Sequence, residues 1–331
     1  MSKGKAGGAM AHAAIDVREL RKAYGTLEVL KGLTLSIERG TVYGVLGPNG
    51  AGKTTLVSIL ATLLRPDAGT VRVFGLDVVR EADAVRSRIG LTGQFAAVDE
   101  ELSGRENLAL FGRLAGYSAR SAKMRAEELL DAFGLLEAAG RSVGKYSGGM
   151  RRRLDIAAAM LVAPDILFLD EPTTGLDPRS RNDVWEIVRQ LAEQGTTVLL
   201  TTQYLEEADQ LANRLAVIDG GTVIAEGTPD DLKASIGSGT ILIRLADPLQ
   251  RSDAERVLKS VLQTSVRQHA DSASLSAQVA DPRLAITALA ELSAAGIPTN
   301  QFSLGQPSLD EVFLALTGKP VQAELTGEGI V

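Results

Sequence analysis

One glycine-rich segment constrains the fold of this chain more than any other part of its sequence. Residues 47–54 read GPNGAGKT and fit the pattern G-x-x-x-x-G-K-[ST], between an apolar strand-like run and a predicted helix. In that setting backbone N–H groups can turn inward on phosphate oxygens, and the helix N-terminus adds its dipole. A glycine-rich turn with an exposed lysine is the alternative for the motif alone. The context favours a phosphate loop made of Gly47, Pro48, Asn49, Gly50, Ala51, Gly52, Lys53, Thr54 and Thr55.

Two adjacent carboxylates narrow the chemistry of this loop, which by itself could belong to a GTPase, a kinase or a motor. Asp170 and Glu171 end the apolar run ILFL, as acids do at the end of a buried strand. Asp170 and Thr54 could then hold Mg²⁺, Lys53 could pair with the β/γ oxygens, and Glu171 could reach a water molecule. A strand capped by solvated acids is the alternative, and the phosphate loop argues against it.

The composition limits the possible partners and compartments. The chain has 331 residues, a formal net charge of −6, a pI of about 5.2 and no cysteine. Because a domain-wide positive field is absent, we expect no nucleic-acid partner, and the lack of cysteine suits a reducing compartment. The longest apolar stretch, residues 154–169, is interrupted by Asp155, Pro164 and Asp165, so no segment is predicted to span a bilayer.

The order of predicted elements indicates an α/β protein with a second, smaller domain. Residues 1–14 lack the apolar core of a signal peptide and are predicted to form a flexible tail. A nucleotide-type α/β domain is predicted over 15–238, with a helical insertion over about 95–163. Residues 239–318 show a strand, helix, strand, strand, helix, strand order, which is a split βαβ, ferredoxin-like arrangement. A second tail, 319–331, ends the chain.

The segment YSGGM provides the link to a known family. Ser147, Gly148 and Gly149 come after the phosphate loop, open a predicted helix and precede the two acids by some twenty residues. In this order the sequence resembles the ABC ATPases, whose core is a RecA-like P-loop NTPase fold with a helical subdomain. The resemblance implies that these three residues clamp the γ-phosphate of ATP held by a second ATPase copy, either identical or homologous.

Other positions match the same family one by one across about 15–235. By resemblance, Tyr24 is the aromatic residue that stacks on adenine, Gln94 joins Mg²⁺ to the permease contact, and Asp177 is the D-loop acid. One departure is that Tyr146 and Met150 flank the SGG, where the family reads LSGGQ. A more serious departure is Gln203, which replaces the family's switch histidine and is predicted to contact the γ-phosphate as a neutral donor.

A closer resemblance reaches the C-terminal part of the chain. The segments GQFAAVDEELSGRENL, TTQYLEEAD and PSLDEVFLALTG are similar to those of daunorubicin-resistance (DrrA-type) exporter ATPases. This implies an ATP-hydrolysing subunit, peripheral on the cytoplasmic face of the cell membrane, that powers efflux of a bulky hydrophobic drug or lipid through a separate permease. The alternatives are a soluble ABC ATPase acting on ribosomes or DNA, and a regulatory module with an inactive site.

Two further features remain open. The run Arg151-Arg152-Arg153 could be a nucleic-acid patch, but three arginines after a phosphate clamp more often lie in solvent or contact acids. The apolar stripe Leu309, Val312, Phe313 and Leu316 is either the core-facing edge of the last helix or a docking surface that regulates assembly.

Overall fold

The chain divides into two units between Thr228 and Pro229. The computed structural model describes residues 13–94, 96–235, 239–269, 271–279, 281–305 and 307–318. Most of the two predicted tails, residues 1–12 and 319–331, lies outside the described residues. Ala13 and Ala14 do not belong to a tail as predicted, because the first strand begins at Ala13 and the carbonyl of Ala14 accepts a 2.6 Å hydrogen bond from the backbone of Phe74.

Two sheets and a set of helices build the first unit. An antiparallel sheet contains β1 (Ala13–Tyr24), β2 (Leu27–Glu38), β4 (Ala68–Val73) and β5 (Leu76–Asp77). A mostly parallel sheet contains β3 (Val42–Leu46), β6 (Ile89–Thr92), β7 (Ile166–Asp170), β8 (Thr197–Thr202), β9 (Arg214–Asp219) and β10 (Thr222–Gly227). The helices are α1 (Lys53–Leu60), α2 (Ala82–Arg86), α3 (Gly104–Leu114), α4 (Ala119–Ala132), α5 (Gly148–Ala159), α6 (Pro178–Glu193) and α7 (Leu205–Leu211).

The parallel sheet has the order β10-β9-β3-β8-β7-β6, and every residue of β3, β7 and β8 is buried. Both faces are covered, as is usual for parallel strands. Phe168 packs in the core on one face with α1 and the antiparallel sheet, whereas Leu167 and Leu169 pack on the other face with the helical region. This alternation follows from the two-residue period of a strand.

The strand register brings the carboxyl ends of the central strands together. Leu46 of β3 is the Cα partner of Thr202, and Asp170 of β7 is the partner of Thr201, so β8 lies between the other two strands. The segments that leave these three strands therefore meet at one edge. Ligands of open α/β sheets bind at such edges.

The predicted helical insertion is present as α3, α4 and α5. Ser103 begins α3 with a capping box, since its side chain accepts from the backbone N–H of Glu106 and the Glu106 carboxylate accepts from the Ser103 N–H. In the core of this region lie Leu129, Leu130 and Phe133. Leu136, which belongs to the same apolar spacing, is 46% exposed, because the chain leaves the helical geometry after Ala132.

The second unit confirms the predicted ferredoxin-like order. Its elements are α8 (Pro229–Ser235), β11 (Thr240–Leu245), α9 (Arg251–Leu262), β12 (Val266–Gln268), β13 (Ser274–Gln278), α10 (Pro282–Ala294), β14 (Thr299–Gly305) and α11 (Leu309–Thr317). The sheet is antiparallel with the order β12-β13-β11-β14. Its core comprises apolar residues of β11, β13 and the two long helices.

The apolar stripe of the last helix is mostly buried in the protein. In α11, Leu309, Val312 and Phe313 are buried and Leu316 is 40% exposed. This helix contacts α8, so the segment predicted to close the first domain near residue 238 belongs instead to the second unit. Within the described residues, no helix is long and apolar enough to cross a membrane.

Candidate nucleotide site

A pocket of about 450 Å³ lies over the phosphate loop. It is lined by Leu27, Val29, Asn49, Gly50, Gly52, Lys53, Thr54, Thr55, Gln94 and Glu171. The fold thus gathers most of the predicted loop with a glutamine and a glutamate that are distant in the sequence. A pocket of this size, with one lysine and one carboxylate among backbone N–H groups, suits a phosphorylated ligand.

The loop adopts a conformation that its glycines make possible. Gly52 has a φ of 105°, and a Cβ added there would lie 2.7 Å from Leu30 Cδ2. A Cβ on Gly47 would lie 2.3 Å from the carbonyl oxygen of Ile218. The methyl group of Ala51 packs in the core. Gly47 and Ala51 therefore determine the shape of the loop on the side away from the pocket, while Gly50 and Gly52 line the pocket.

Lys53 is folded back into the loop. Its Nζ donates to the carbonyl oxygens of Gly47 at 2.7 Å and Pro48 at 3.2 Å, and it lies 3.8 Å from Glu171 Oε1. Burial lowers the pKa of this ammonium group, and the carboxylates of Glu171 and Asp170 oppose that effect. A phosphate entering the pocket would offer a charged acceptor, which forms stronger hydrogen bonds than neutral carbonyls do.

The two acids of β7 have different surroundings. Asp170 is almost completely buried and accepts a hydrogen bond from the Thr201 hydroxyl. The backbone N–H of Glu171 donates to the Thr201 carbonyl at 3.1 Å, and its φ is 47°, which is uncommon for a residue other than glycine. This turn takes the chain out of the pleat, so Glu171 reaches the pocket while Asp170 remains beside the sheet.

Tyr24 and Gln203 lie close to the pocket but are not among the residues that line it. Gln203 is 8% exposed and directly follows β8, next to the pair formed by Thr202 and Leu46. Tyr24 is 51% exposed at the end of β1, where its Cα partner is the pocket residue Leu27. The strand register thus carries both residues to the rim of the site.

The signature residues lie outside the pocket lining. Ser147 caps α5 by accepting from the backbone N–H of Met150 at 3.2 Å, and Ser147 and Gly148 are exposed. Gly149 packs closely on α6, since a Cβ added there would lie 2.4 Å from Ser180 Oγ. Tyr146 is buried and donates its hydroxyl to the Ala138 carbonyl at 2.9 Å. Its phenol anchors the start of α5 in place of the family's leucine.

Asp177 caps the helix that packs on the signature. Its carboxylate accepts from the Ser180 backbone at 3.0 Å and from the Ser180 hydroxyl at 2.6 Å. These hydrogen bonds hold the pKa of Asp177 below its usual range. The same serine contacts Gly149, so the predicted D-loop and the signature are joined through one side chain.

Sequence reasoning did not predict the roles of three polar residues of this region. Thr201 bonds both to the Asp170 carboxylate and to the Glu171 backbone. Arg152 and Asp155 form a buried ion pair with an Nη1 to Oδ2 distance of 3.2 Å. The sequence signal for this ion pair was the three-residue spacing of Arg152 and Asp155 on a predicted helix, which brings the two side chains within reach of each other.

Comparisons with known proteins identify the family of this chain. The ABC transporter family profile matches residues 30–174, and that of the C-terminal domain of DrrA1-3-like ATP-binding proteins matches residues 227–317. The daunorubicin/doxorubicin resistance ATP-binding protein DrrA of Streptomyces peucetius is 59% identical over 95% of this chain and 96% of its own length. The Nod factor export ATP-binding protein I of Burkholderia orbicola is 41% identical over 95% of this chain and all of its own length.

Solved structures show the same cassette. A subunit of the ABC transporter complex cbiONQ from Clostridium perfringens superposes with a TM-score of 0.63 and 25% identity, covering 68% of this chain and 92% of that structure. The pocket, the signature helix and these matches lead to one assignment. This chain belongs to the ABC transporter family, as an ATP-binding and ATP-hydrolysing exporter subunit related to the daunorubicin-resistance proteins.

Proposed function

We propose that this chain powers the efflux of a bulky hydrophobic compound through a separate membrane permease, by hydrolysing ATP between two ATPase copies. One observation carries the proposal: Lys53, Gln94 and Glu171 share a pocket from which Ser147 is absent. An ATP molecule in this pocket would lack the signature clamp unless a second copy, identical or homologous, supplied its own Ser147.

The residues of the pocket have complementary roles in this proposal. The phosphate loop and Lys53 bind the phosphates, and Tyr24 stacks on the adenine from the rim. Glu171, already turned toward the pocket, orients the attacking water as a general base. Gln203 donates its amide to the transferring phosphate and stabilises the charge that develops there.

The residues in and beside this pocket also suit the binding of Mg²⁺. Thr54 and Gln94 line the pocket, and the Asp170 carboxylate is fixed nearby by Thr201, so the available donors are oxygen atoms, which Mg²⁺ prefers. When bound, the ion neutralises charge on the phosphates. Thr54, Gln94 and Asp170 are the residues that would hold it.

The transported compound is proposed from the relatives. Their names describe resistance to daunorubicin and doxorubicin and export of Nod factor. A hydrophobic drug or a lipid is the class that we propose here. The chain would work from the cytoplasmic face of the membrane, and its second unit would regulate assembly or coupling rather than bind the nucleotide.

The test uses cells that express the full chain with its membrane partner. The tagged chain should be recovered from membranes with a polypeptide that contains apolar spans of about 20 residues. Efflux of fluorescent daunorubicin should depend on this chain and stop with Lys53→Ala, while Lys123→Ala, at an exposed lysine of α4, should retain it. Recovery only with ribosomes or DNA would overturn the proposal.

A further inference from the structure

The middle residue of the arginine run has surroundings unlike those of Arg151. Arg151 is partly exposed and pairs with Glu100 at 2.8 Å. Arg152 is 7% exposed and lies among backbone groups instead of in solvent. A buried guanidinium must satisfy its donors within the protein, so its partners show what it holds.

Two of those partners flank the proposed catalytic base. Arg152 Nε donates to the carbonyl oxygen of Pro172 at 2.9 Å, and Nη2 donates to that of Asp170 at 3.2 Å. Glu171 is the single residue between them. Its positive φ is unfavourable for a side-chain-bearing residue and persists only where its surroundings impose it. Thr201 holds the Glu171 N–H from β8, and Arg152 holds the carbonyls on either side from α5.

A third partner lies next to the predicted Q-loop glutamine. Arg152 Nη1 donates at 2.8 Å to the carbonyl of Gly93, the residue before Gln94. Asp155, one turn further along α5, pairs with Arg152 through Oδ2 and accepts from the backbone N–H of Ala97 at 2.9 Å through Oδ1. The pair therefore joins one helix to backbone on both sides of Gln94.

We infer that Arg152, held by Asp155, is a positioning residue that fixes Glu171 and Gln94 relative to the helix that Ser147 caps. This inference rests on the proposed function and deepens it. In the proposed function, Ser147 binds the ATP held by the opposite copy. Because Arg152 links the helix of Ser147 rigidly to Glu171, closure of the two copies on that ATP is coupled to the position of Glu171 in its own pocket. Displacements of about 1 Å in such a group can cost about 10²-fold in rate.

The planar fork of arginine matters for this role. Three of the bonds go to carbonyl oxygens in two segments, those of Asp170 and Pro172 in one and that of Gly93 in the other. A guanidinium offers donors in several fixed directions at once. Lysine in the same place would keep a positive charge beside Asp155 but present a single nitrogen. Arg152→Lys therefore keeps the ion pair with Asp155 but loses the simultaneous hydrogen bonds to the backbone carbonyls. The variant distinguishes the effects of these two interactions.

The experiment compares Arg152→Lys with Arg151→Lys, the same exchange at the neighbouring partly exposed position. Both are made in the full chain assembled with its permease, and kcat, KM for ATP, nucleotide Kd and thermal midpoint are measured. For Arg152→Lys we expect kcat to fall at least about tenfold while KM and Kd change less than about threefold, since binding groups are untouched. For Arg151→Lys we expect all four values to stay near the wild type.

Several results would overturn the inference. These are an unchanged kcat, a rise in KM alone, or a loss of kcat that matches the loss of folded protein in the Arg152→Lys sample. Should this variant fail to fold, Arg152→Met/Asp155→Asn removes both charges of the buried pair and keeps an acceptor for Ala97, which is better tolerated than removing one charge. That double variant should show the same kcat loss, and wild-type turnover in it would refute the positioning role.

A control for the proposed function accompanies these variants. If the wild type does not hydrolyse ATP, or Lys53→Ala keeps its turnover, the proposed function fails. If both behave as expected and only the Arg152 variants retain full kcat, the positioning role alone fails.

Discussion

Replacing Gln203 with alanine tests the most unusual feature of the site. Gln203 follows β8, next to the pair formed by Thr202 and Leu46, and so lies beside the first residue of the phosphate loop. It is 8% exposed, so its amide is largely withdrawn from solvent. The Gln203→Ala change removes this amide without changing any charge.

The expected magnitude follows from this placement. Loss of one preorganised donor to a transition state costs about 10²–10³ in rate. The alanine variant leaves space at a position that is not fully closed to solvent, and a water molecule can replace part of the lost hydrogen bond. We therefore expect turnover to fall by about 10- to 100-fold, equivalent to roughly 1.4–2.7 kcal/mol in the barrier.

The assay is steady-state ATP hydrolysis by the assembled transporter between about pH 6 and pH 8. Gln194→Ala, the same truncation at the exposed end of α6, is the matched control. A second variant, Gln203→His, should gain a pH-dependent contribution in this range because an unperturbed histidine titrates near pH 6.5, whereas glutamine does not. Wild-type turnover in Gln203→Ala would show that this residue only fills space.

Four further predictions concern single sites. Glu171→Gln should bind ATP but lose at least about 10²-fold in turnover and accumulate as a closed pair in size-exclusion chromatography, because the general base is gone; parental turnover would contradict its role. Glu207 is buried and accepts hydrogen bonds from Thr173 and Trp185. Burial raises the pKa of its carboxyl above the ordinary value, so its stabilising contribution is full below the unfolded pKa and declines as pH rises toward the folded pKa. Urea unfolding should therefore show Glu207→Gln gaining stability relative to wild type between acidic and neutral pH, and a pH-independent difference would refute this. Tyr146→Phe should lower the unfolding free energy by about 0.5–1.5 kcal/mol because it removes one hydrogen bond to the Ala138 carbonyl, which keeps the Arg141 N–H as its other donor; equal urea midpoints would argue against a contribution from the Tyr146 hydroxyl. A chain ending at Thr228 should keep nucleotide affinity but lose transport or complex formation, and loss of ATP binding by the folded fragment would place the second unit in the site.

The sequence predicted the elements of the site because their signals are local. The phosphate loop lies between a strand and a helix in a fixed pattern, and the acids of β7 come directly after an apolar run. The split βαβ order of the second unit was also readable, since strand and helix periodicities differ. These features depend on residues close together in the chain, so their spacing is sufficient to identify them.

Tertiary structure alone decided how distant residues combine. The middle arginine of the charged run could be solvated or buried. The position of α5 beside the ends of β6 and β7 determined that Arg152 donates to carbonyls 18 to 59 residues away in the sequence. The helix after Thr228 has the same local sequence whichever unit it joins, and its contact with α11 settled the assignment. Spacing along the chain carries no information about such partners, because burial and long-range hydrogen bonds depend on which surfaces meet when the chain folds.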